Sequence, residues 1–143
     1  MRENFSVQVR EILSFASEEA LRLGDRTLDT EHLLMGLIRQ GNNQALDILQ
    51  KANIDLQQVW QEAETVSLLE SGGRGRNDLR LPLSRQAEKV IDRSQREARS
   101  MQAPQVEPQH LILSLLKHKR NKGARILSHF RVSYEDFMKS LRL

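Results

Sequence analysis

The amino-acid sequence predicts an all-α protein of two tandem four-helix repeats joined by a Gly/Arg-rich linker. The strongest evidence is an internal repeat, because residues 32–38 (HLLMGLI) recur as residues 110–116 (HLILSLL), a shift of 110 − 32 = 78. Apolar residues recur every three or four positions, and no segment keeps a period of two for long. We therefore expect repeat one at 1–70, the linker at 71–80 and repeat two at 81–143.

The repeat keeps one register across both halves of the chain. The same shift, with no gap, pairs Ser6 with Ser84, Gln8 with Gln86, Asn43 with Asn121 and Ile48 with Ile126. Unrelated helical sequences share apolar periodicity but rarely share one register, so we infer a duplicated unit. A single repeat of this size would bury little of its own surface, and we expect the copies to pack together. Two related surfaces suit binding better than catalysis.

Local signals predict four helices in repeat one, at about 5–23, 30–39, 44–51 and from 56 onward. Gly24 is suited to end the first helix, and either Asp29 or Thr30 caps the second. Asp55 caps the fourth helix, whose inward residues are Val59, Ala63 and Val66.

Repeat two shows the same order of elements, with helices predicted at about 85–101, from 108, around 124–127 and from 134 onward. Ser84 caps the first of these helices and Ser133 the last. Pro108 suits the first turn of a helix, where a backbone N–H would lack a helical partner in any case. Between the repeats, residues 71–78 contain three Gly and no apolar residue, which indicates a linker.

The composition excludes several kinds of chemistry. The 143 residues include no Cys, so disulfides, thiolate metal sites and Cys nucleophiles are excluded. A hydrophobic content of 38% and a charged content of 29% are typical of a globular domain. The sequence shows neither the pattern of a signal peptide nor an apolar run that would span a membrane. We expect a cytoplasmic protein.

Charge is divided unequally between the two repeats. Residues 1–70 carry 6 Lys/Arg and 12 Asp/Glu, a balance of −6, and the remaining 16 and 7 give +9, for a net charge of +3. Opposite fields would help the copies dock, or would present unlike surfaces to partners. The plain alternative is two solvated faces that diverged in sequence, because exposed charge pairs contribute little to stability.

The sequence contains none of the common motifs of a catalytic or cofactor-binding site. There is no Gly-x-x-x-x-Gly-Lys-[Ser/Thr] loop, no Gly-x-Ser-x-Gly elbow and no His-Glu-x-x-His pair. We therefore nominate no catalytic residue, no metal ligand and no cofactor. His32 and His110 are equivalent by the repeat, and we expect a ring N–H of each to donate to a backbone carbonyl of the preceding loop.

A basic run at residues 117–122 supports an alternative function. Such a run contacts phosphates electrostatically, but it lacks interleaved aromatic residues for base stacking, and aromatics are only 4% of the chain. The two interpretations are a solvated helix end and a basic helical nucleic-acid-binding domain that uses the Lys117–Arg125 face.

Glu31 is the most informative single residue, because it lies in the first turn of the predicted second helix. A carboxylate there stabilises the helix dipole, or receives a guanidinium through two parallel hydrogen bonds. The matched residue of repeat two, Gln109, is neutral.

Two stretches resemble the N-terminal repeat domain of the Clp AAA+ unfoldases. They are residues 18–24 (EEALRLG) and 30–38 (TEHLLMGLI), and the second copy continues the match at residues 83–84, 97–98 and 109–111. The likeness covers nearly the whole chain and is closest to the ClpC type, with the ClpB disaggregase as the next relative.

The resemblance implies that the two four-helix repeats form a pseudo-twofold bundle. It also implies a docking domain that sits on a hexameric, ATP-driven unfoldase and receives substrate proteins and adaptor proteins. Full-length members carry two ATPase modules that this sequence lacks, so it implies an excised domain that is not itself an enzyme. It also implies a monomeric domain without a membrane partner, and a parent that associates with a ClpP-type peptidase.

The resemblance further implies a site, because some ClpC-type domains bind phosphorylated arginine. Glu31, beside Thr30, matches the acidic residue that receives the guanidinium in such domains. In repeat two, Gln109 stands in place of the acid and Pro108 in place of the threonine.

Two grooves beside the helix starts are the expected contacts for adaptors and peptides. One is expected near Phe5 and Thr30, and the other near Leu83 and Pro108. Apolar contact would provide affinity there, and charge would provide selectivity.

Overall fold

The computed structural model describes residues 4–70 and 81–142, and the predicted linker at 71–80 lies outside the described residues. The described residues form eight α-helices and no β-strand beyond two isolated bridges, which confirms the all-α prediction. In chain order the helices are Val7–Arg22 (α1), Thr30–Gln40 (α2), Gln44–Lys51 (α3), Leu56–Glu70 (α4), Arg85–Ser100 (α5), Pro108–Lys117 (α6), Lys122–His129 (α7) and Tyr134–Leu141 (α8).

Matched residues begin matched helices, so the repeat holds at the level of single hydrogen bonds. The Ser6 hydroxyl accepts the N–H of Val9 at 3.1 Å, and the Ser84 hydroxyl accepts that of Ala87 at 3.0 Å. Asn43 and Asn121 likewise cap α3 and α7. Because Ser6 is the cap, the prediction that the first helix includes Phe5 is wrong.

The residue before each cap pairs with the other repeat. Phe5 forms a parallel bridge with Val106, and Leu83 forms the matching bridge with Leu28. The Ser6 N–H donates to the Val106 carbonyl at 3.0 Å, and the Ser84 N–H donates to the Leu28 carbonyl at 2.9 Å. Each repeat therefore contributes its leading segment to the loop that precedes the second helix of its partner repeat.

The pair α1 and α2 packs more closely than its counterpart in repeat two. A Cβ placed on Gly36 of α2 would lie 2.3 Å from the carbonyl oxygen of Ile12 in α1. The matched residue in α6 is Ser114, whose hydroxyl donates to the carbonyl of Val90 in α5 at 2.7 Å. A contact between backbones in one repeat is thus replaced by a side-chain hydrogen bond in the other.

Ionic contacts between the repeats share one polarity. Among the described residues, repeat two supplies the cation and repeat one the anion in the pairs of Lys122 with Asp29 and of Arg125 with Glu70. His129 of repeat two also contacts Glu62 of repeat one through its Nδ1. The opposite charges of the two halves therefore meet at their interface. Each exposed pair adds only about 0.2–1 kcal/mol, so apolar packing remains the main stabilising term. None of the helices described combines the length and the hydropathy that crossing a bilayer would require.

Substitution of Gly36 tests the close approach of α1 and α2. We expect Gly36→Ala to lower the free energy of unfolding by about 2 kcal/mol, because the added methyl group forces the two backbones apart. Ser114→Ala is the matched change, and we expect it to cost about 1 kcal/mol through one lost hydrogen bond. Urea unfolding measures both. A Gly36→Ala variant as stable as the wild type would contradict the packing described.

Candidate functional site

A buried polar cluster of Asp25, His32 and Ser67 lies at the start of α2. His32 Nδ1 accepts the backbone N–H of Asp29 at 2.9 Å, so its Nε2 carries the proton and donates to Asp25 Oδ2 at 2.6 Å. The Ser67 hydroxyl also donates to Asp25 Oδ2 and lies 3.0 Å from His32 Nε2. Because Ser67 belongs to α4, the cluster fixes the end of α4 beside the start of α2.

His32 and His110 have the same role, but each ring accepts a backbone hydrogen bond where the sequence predicted that it would donate one. His110 Nδ1 accepts the backbone N–H of Glu107 at 2.8 Å, as His32 accepts that of Asp29. Each ring therefore accepts from the cap residue of its own helix, and does not donate to a loop carbonyl. Burial lowers the pKa of His110, which favours the neutral ring that can accept this bond.

The cluster contains the residue types of a nucleophilic triad without its geometry. In such a triad the two ring nitrogens face different partners, the base facing the nucleophile and the other nitrogen facing the carboxylate. Here His32 Nε2 faces both Asp25 and Ser67. Ser67 is also fully buried, so a substrate has no access to its hydroxyl. The arrangement is structural.

Three ligand atoms lie close enough together to suggest a metal site, which the sequence did not indicate. Asp25, Glu31 and His32 offer oxygen and nitrogen atoms within 4.8 Å of one another. However, Asp25 Oδ2 and His32 Nε2 are only 2.6 Å apart. Two ligands of a tetrahedral zinc ion lie about 3.3 Å apart, given metal–ligand distances near 2 Å. These atoms are therefore spaced for a shared proton.

Glu31 is buried and only partly neutralised. Its side chain is 1% exposed, and its Oε1 has no hydrogen-bond partner. Its Oε2 lies 3.9 Å from His32 Nε2 and 4.0 Å from Lys122 Nζ. Burial raises the pKa of the Glu31 carboxyl above its ordinary value, although His32 and Lys122 oppose this shift. The matched Gln109 is half-buried.

The start of α7 covers the start of α2. Thr30, predicted as a site residue, is fully buried, and its hydroxyl accepts the backbone N–H of Gly123 at 2.9 Å. Lys122 Nζ lies 3.3 Å from Asp29 Oδ2 and donates to the Glu70 carbonyl at 3.0 Å. Lys122 thus ties α7 to the start of α2 and to the end of α4.

Two exposed leucines adjoin this cluster. Leu68 and Leu69 are 63% and 78% exposed, and they directly follow the buried Ser67. They are the most exposed large apolar side chains among the described residues. Lys122 links the end of α4, which carries both leucines, to Asp29 at the start of α2. We call this region, with Asp29, Leu68, Leu69 and Lys122, the α2-start face.

The predicted groove contacts are placed differently from the expectation. Phe5, which is 5% exposed, and Pro108 are both buried, so they lie beneath the surface and do not line it. Leu83 is half-buried. The expected grouping of Phe5 with Thr30 and of Leu83 with Pro108 is also wrong at the level of the backbone. The crossed bridges place Phe5 beside the loop before α6 and Leu83 beside the loop before α2.

The matched helices, the matched caps and the crossed bridges define an all-helical domain built from a tandem repeat. Residues 4–130 match the family "Clp repeat (R) N-terminal domain". The chain therefore belongs to the Clp N-terminal repeat family, as the sequence resemblance predicted.

Similar proteins agree with this assignment. The chain is 33% identical over 130 residues to the negative regulator of genetic competence ClpC/MecB of Bacillus subtilis, and 31% identical over 130 residues to the chaperone protein ClpB of Oceanobacillus iheyensis. Each match covers 90% of this chain, which spans only 15% and 16% of those relatives. The N-terminal domain of the chaperone ClpD from Arabidopsis thaliana shares the fold, with a TM-score of 0.74 and 18% identity, covering 100% of this chain and 97% of that one.

The buried carboxyl of Glu31 predicts an unusual dependence of stability on pH. The pKa of this carboxyl is higher in the folded state than in the unfolded state. Between these two pKa values the native state binds more protons than the unfolded state, so the free energy of unfolding falls as pH rises through this range. Glu31→Gln removes this loss of stability at higher pH, and it gives repeat one the same residue type that repeat two has at the matched position, Gln109. We expect the variant to be more stable than wild type at pH 7, with a gain that shrinks below the model-peptide pKa of about 4.3.

Urea unfolding at pH 4 and pH 7 measures this difference. Asp29→Asn is the control, because it removes a neighbouring carboxylate that is not fully buried. A Glu31→Gln variant that is less stable than wild type at pH 7 would show that the ionised carboxylate stabilises the fold.

Proposed function

We propose that this chain is the substrate- and adaptor-docking domain of a cytoplasmic, ATP-dependent Clp unfoldase or protease regulatory subunit. The observation that carries the proposal is the α2-start face, where Leu68 and Leu69 are exposed at the end of α4. Lys122, which is paired with Asp29, contacts the backbone carbonyl of the next residue, Glu70. Exposed apolar side chains beside charged ones are typical of surfaces that bind protein partners.

The proposed mechanism is reversible capture without covalent chemistry. Leu68 and Leu69 supply apolar area for affinity, and the nearby charges of Asp29 and Lys122 select the partner. The hydrogen-bonded Ser67 anchors the turn of the α4 backbone that carries both leucines, so little backbone entropy is lost on binding. Capture raises the local concentration of substrate near the rest of the parent protein.

Properties of the parent form part of the proposal, because the chain spans about 15% of its curated relatives. The names of the similar proteins include a chaperone and a caseinolytic protease-associated chaperone. They support a parent that acts as a chaperone and works with a caseinolytic protease. We propose that this parent is a hexamer that hydrolyses ATP and associates with a ClpP-type peptidase. ATP hydrolysis would belong to that parent and not to this domain.

A finer proposal is that the α2-start face recognises phosphoarginine-marked proteins. The unpartnered Oε1 of Glu31 favours it, because this oxygen has an unused capacity to accept a guanidinium N–H. The carboxylate is buried, so binding requires the ammonium of Lys122 to move aside. Repeat two offers no equivalent charge, since Gln109 is neutral, and we place the proposed site in repeat one alone.

The alternative of a nucleic-acid-binding domain is weakened by the ion pairs of its basic face. Lys117 lies 3.7 Å from Glu97, Lys122 lies 3.3 Å from Asp29, and Arg125 lies 2.7 Å from Glu70. These pairs interrupt the run of positive charge that phosphate binding would need.

The leucine pair provides a direct test of docking. We expect Leu68→Ser with Leu69→Ser to weaken binding of an unfolded protein by about tenfold, because two exposed apolar side chains are lost. Reduced, carboxymethylated and labelled lysozyme is the probe, and fluorescence anisotropy is the measurement. Val7→Ser is the control, since Val7 is also exposed but starts α1. Equal losses in both variants, or none in either, would contradict docking at the α2-start face.

Isothermal titration with free phosphoarginine tests the finer proposal. We expect binding to the wild type and none to Glu31→Ala, because the variant lacks the guanidinium acceptor. Unchanged binding by Glu31→Ala would remove Glu31 from the site. Absence of binding to both would exclude phosphoarginine and leave protein docking intact.

A further inference from the structure

The duplication leaves two related grooves on the surface. Groove one, of about 420 Å³, is lined by Ile38, Leu56, Gln57 and Trp60. Groove two, of about 450 Å³, lies between the end of α6 and the starts of α7 and α8. It includes Leu116, Tyr134 and Glu135, which the 78-residue shift matches to Ile38, Leu56 and Gln57.

The two grooves differ in charge. Among the described residues, no Asp, Glu, Lys, Arg or His lines groove one. Lys119, Arg120 and Arg125 line groove two, where Glu135 is the one acidic residue among the lining residues that the structure describes. The residues of repeat one that match these three cations are Gly41, Asn42 and Asp47. The positive charge is therefore a property of repeat two and not of the shared fold.

Two of the cations in groove two are free to bind a partner. Lys119 and Arg120 are exposed and make no ion pair or hydrogen bond within the described part of the chain. Arg125 is already paired with Glu70. Leu116 and Ala124 form an apolar floor close to these free cations, and Val132 adds to it. The groove thus combines an apolar surface with unpaired positive charge.

We propose that groove two binds an acidic peptide segment that places an apolar side chain between its carboxylates. The floor around Leu116 accepts the apolar side chain, and Lys119 and Arg120 meet the carboxylates. Charge complementarity of this kind steers encounter and selects among partners. The proposal rests on the docking function and gives it a second contact surface, with its own partner chemistry.

An acidic peptide fits groove two better than a nucleic acid. A nucleic acid needs a continuous basic track and aromatic faces for stacking. Tyr134 is the aromatic residue of this groove, but its hydroxyl donates to Glu97 at 2.7 Å and Lys117 lies over its ring. The apolar floor would also remain unused by phosphates.

The experiment uses a labelled peptide of about twelve residues, with four Glu around two Leu in a Gly-Ser background. A second peptide carries Gln in place of each Glu. We expect the wild type to bind the Glu peptide at least about tenfold more tightly than the Gln peptide. Lys119→Glu with Arg120→Glu should remove this preference. Equal binding of the two peptides to the wild type would overturn the proposal.

Two controls separate groove two from other surfaces. Arg85→Glu with Lys89→Glu makes the same change in net charge on the exposed side of α5, and should leave the preference unchanged. Trp60 is the single Trp of the chain and lines groove one, so its emission should not respond to the Glu peptide. Loss of the preference in the α5 variant, or a Trp60 response at the same affinity, would overturn the assignment to groove two.

The Leu68→Ser, Leu69→Ser variant distinguishes this proposal from the docking function. It should bind the Glu peptide as the wild type does, even though its binding of unfolded protein falls. A single-stranded oligonucleotide of equal charge should not displace the peptide at equal concentration. Displacement at equal concentration would show that groove two selects negative charge alone, and would overturn the peptide proposal.

Discussion

The fold depends on a reciprocal backbone contact between its two halves. Phe5 pairs with Val106, Leu83 pairs with Leu28, and the two pairings are related by the repeat. Because each cap serine directly follows a bridged residue, the bridges also fix where α1 and α5 begin. In each repeat, the loop before the second helix is hydrogen-bonded to the leading segment of the other repeat. This exchange explains how two small units, each marginal alone, form one stable platform.

Symmetry of the backbone does not extend to the chemistry on its surface. Repeat one carries the buried carboxyl of Glu31 and the cluster around His32, where repeat two has a neutral Gln109 and no residue equivalent in charge to Asp25. Repeat two instead carries the unpaired cations of groove two. Duplication thus provides two related positions, and divergence gives each a different set of charged side chains, which we propose select different partners. A domain with two distinct binding surfaces is suited to hold an adaptor and a substrate together, which raises their effective concentration.

Local features of the fold were predictable from the sequence, and contacts between distant segments were not. Helix caps such as Ser84 and Ser133 act within one turn, so their residue types reveal them. Periodicity identified the buried side of α4, but it carries no information on which segment would cover it. The crossed bridge of Phe5 joins residues far apart in the chain, and the position of Lys122 over Glu31 depends on how the repeats dock. The place of Glu31 in the first turn of α2 was therefore predicted correctly, while its burial required the structure.

Native-state hydrogen exchange at the bridge amides tests the central claim, that the crossed pairing unites the two repeats. The informative amides are those of Ser6, Leu28, Ser84 and Val106, which all donate across the interface between repeats. All four should exchange only through global unfolding, with the same free energy as the core of α2. Exchange of either bridge at a much lower free energy, while the helices of both repeats stay protected, would show that each repeat folds independently and would contradict the account.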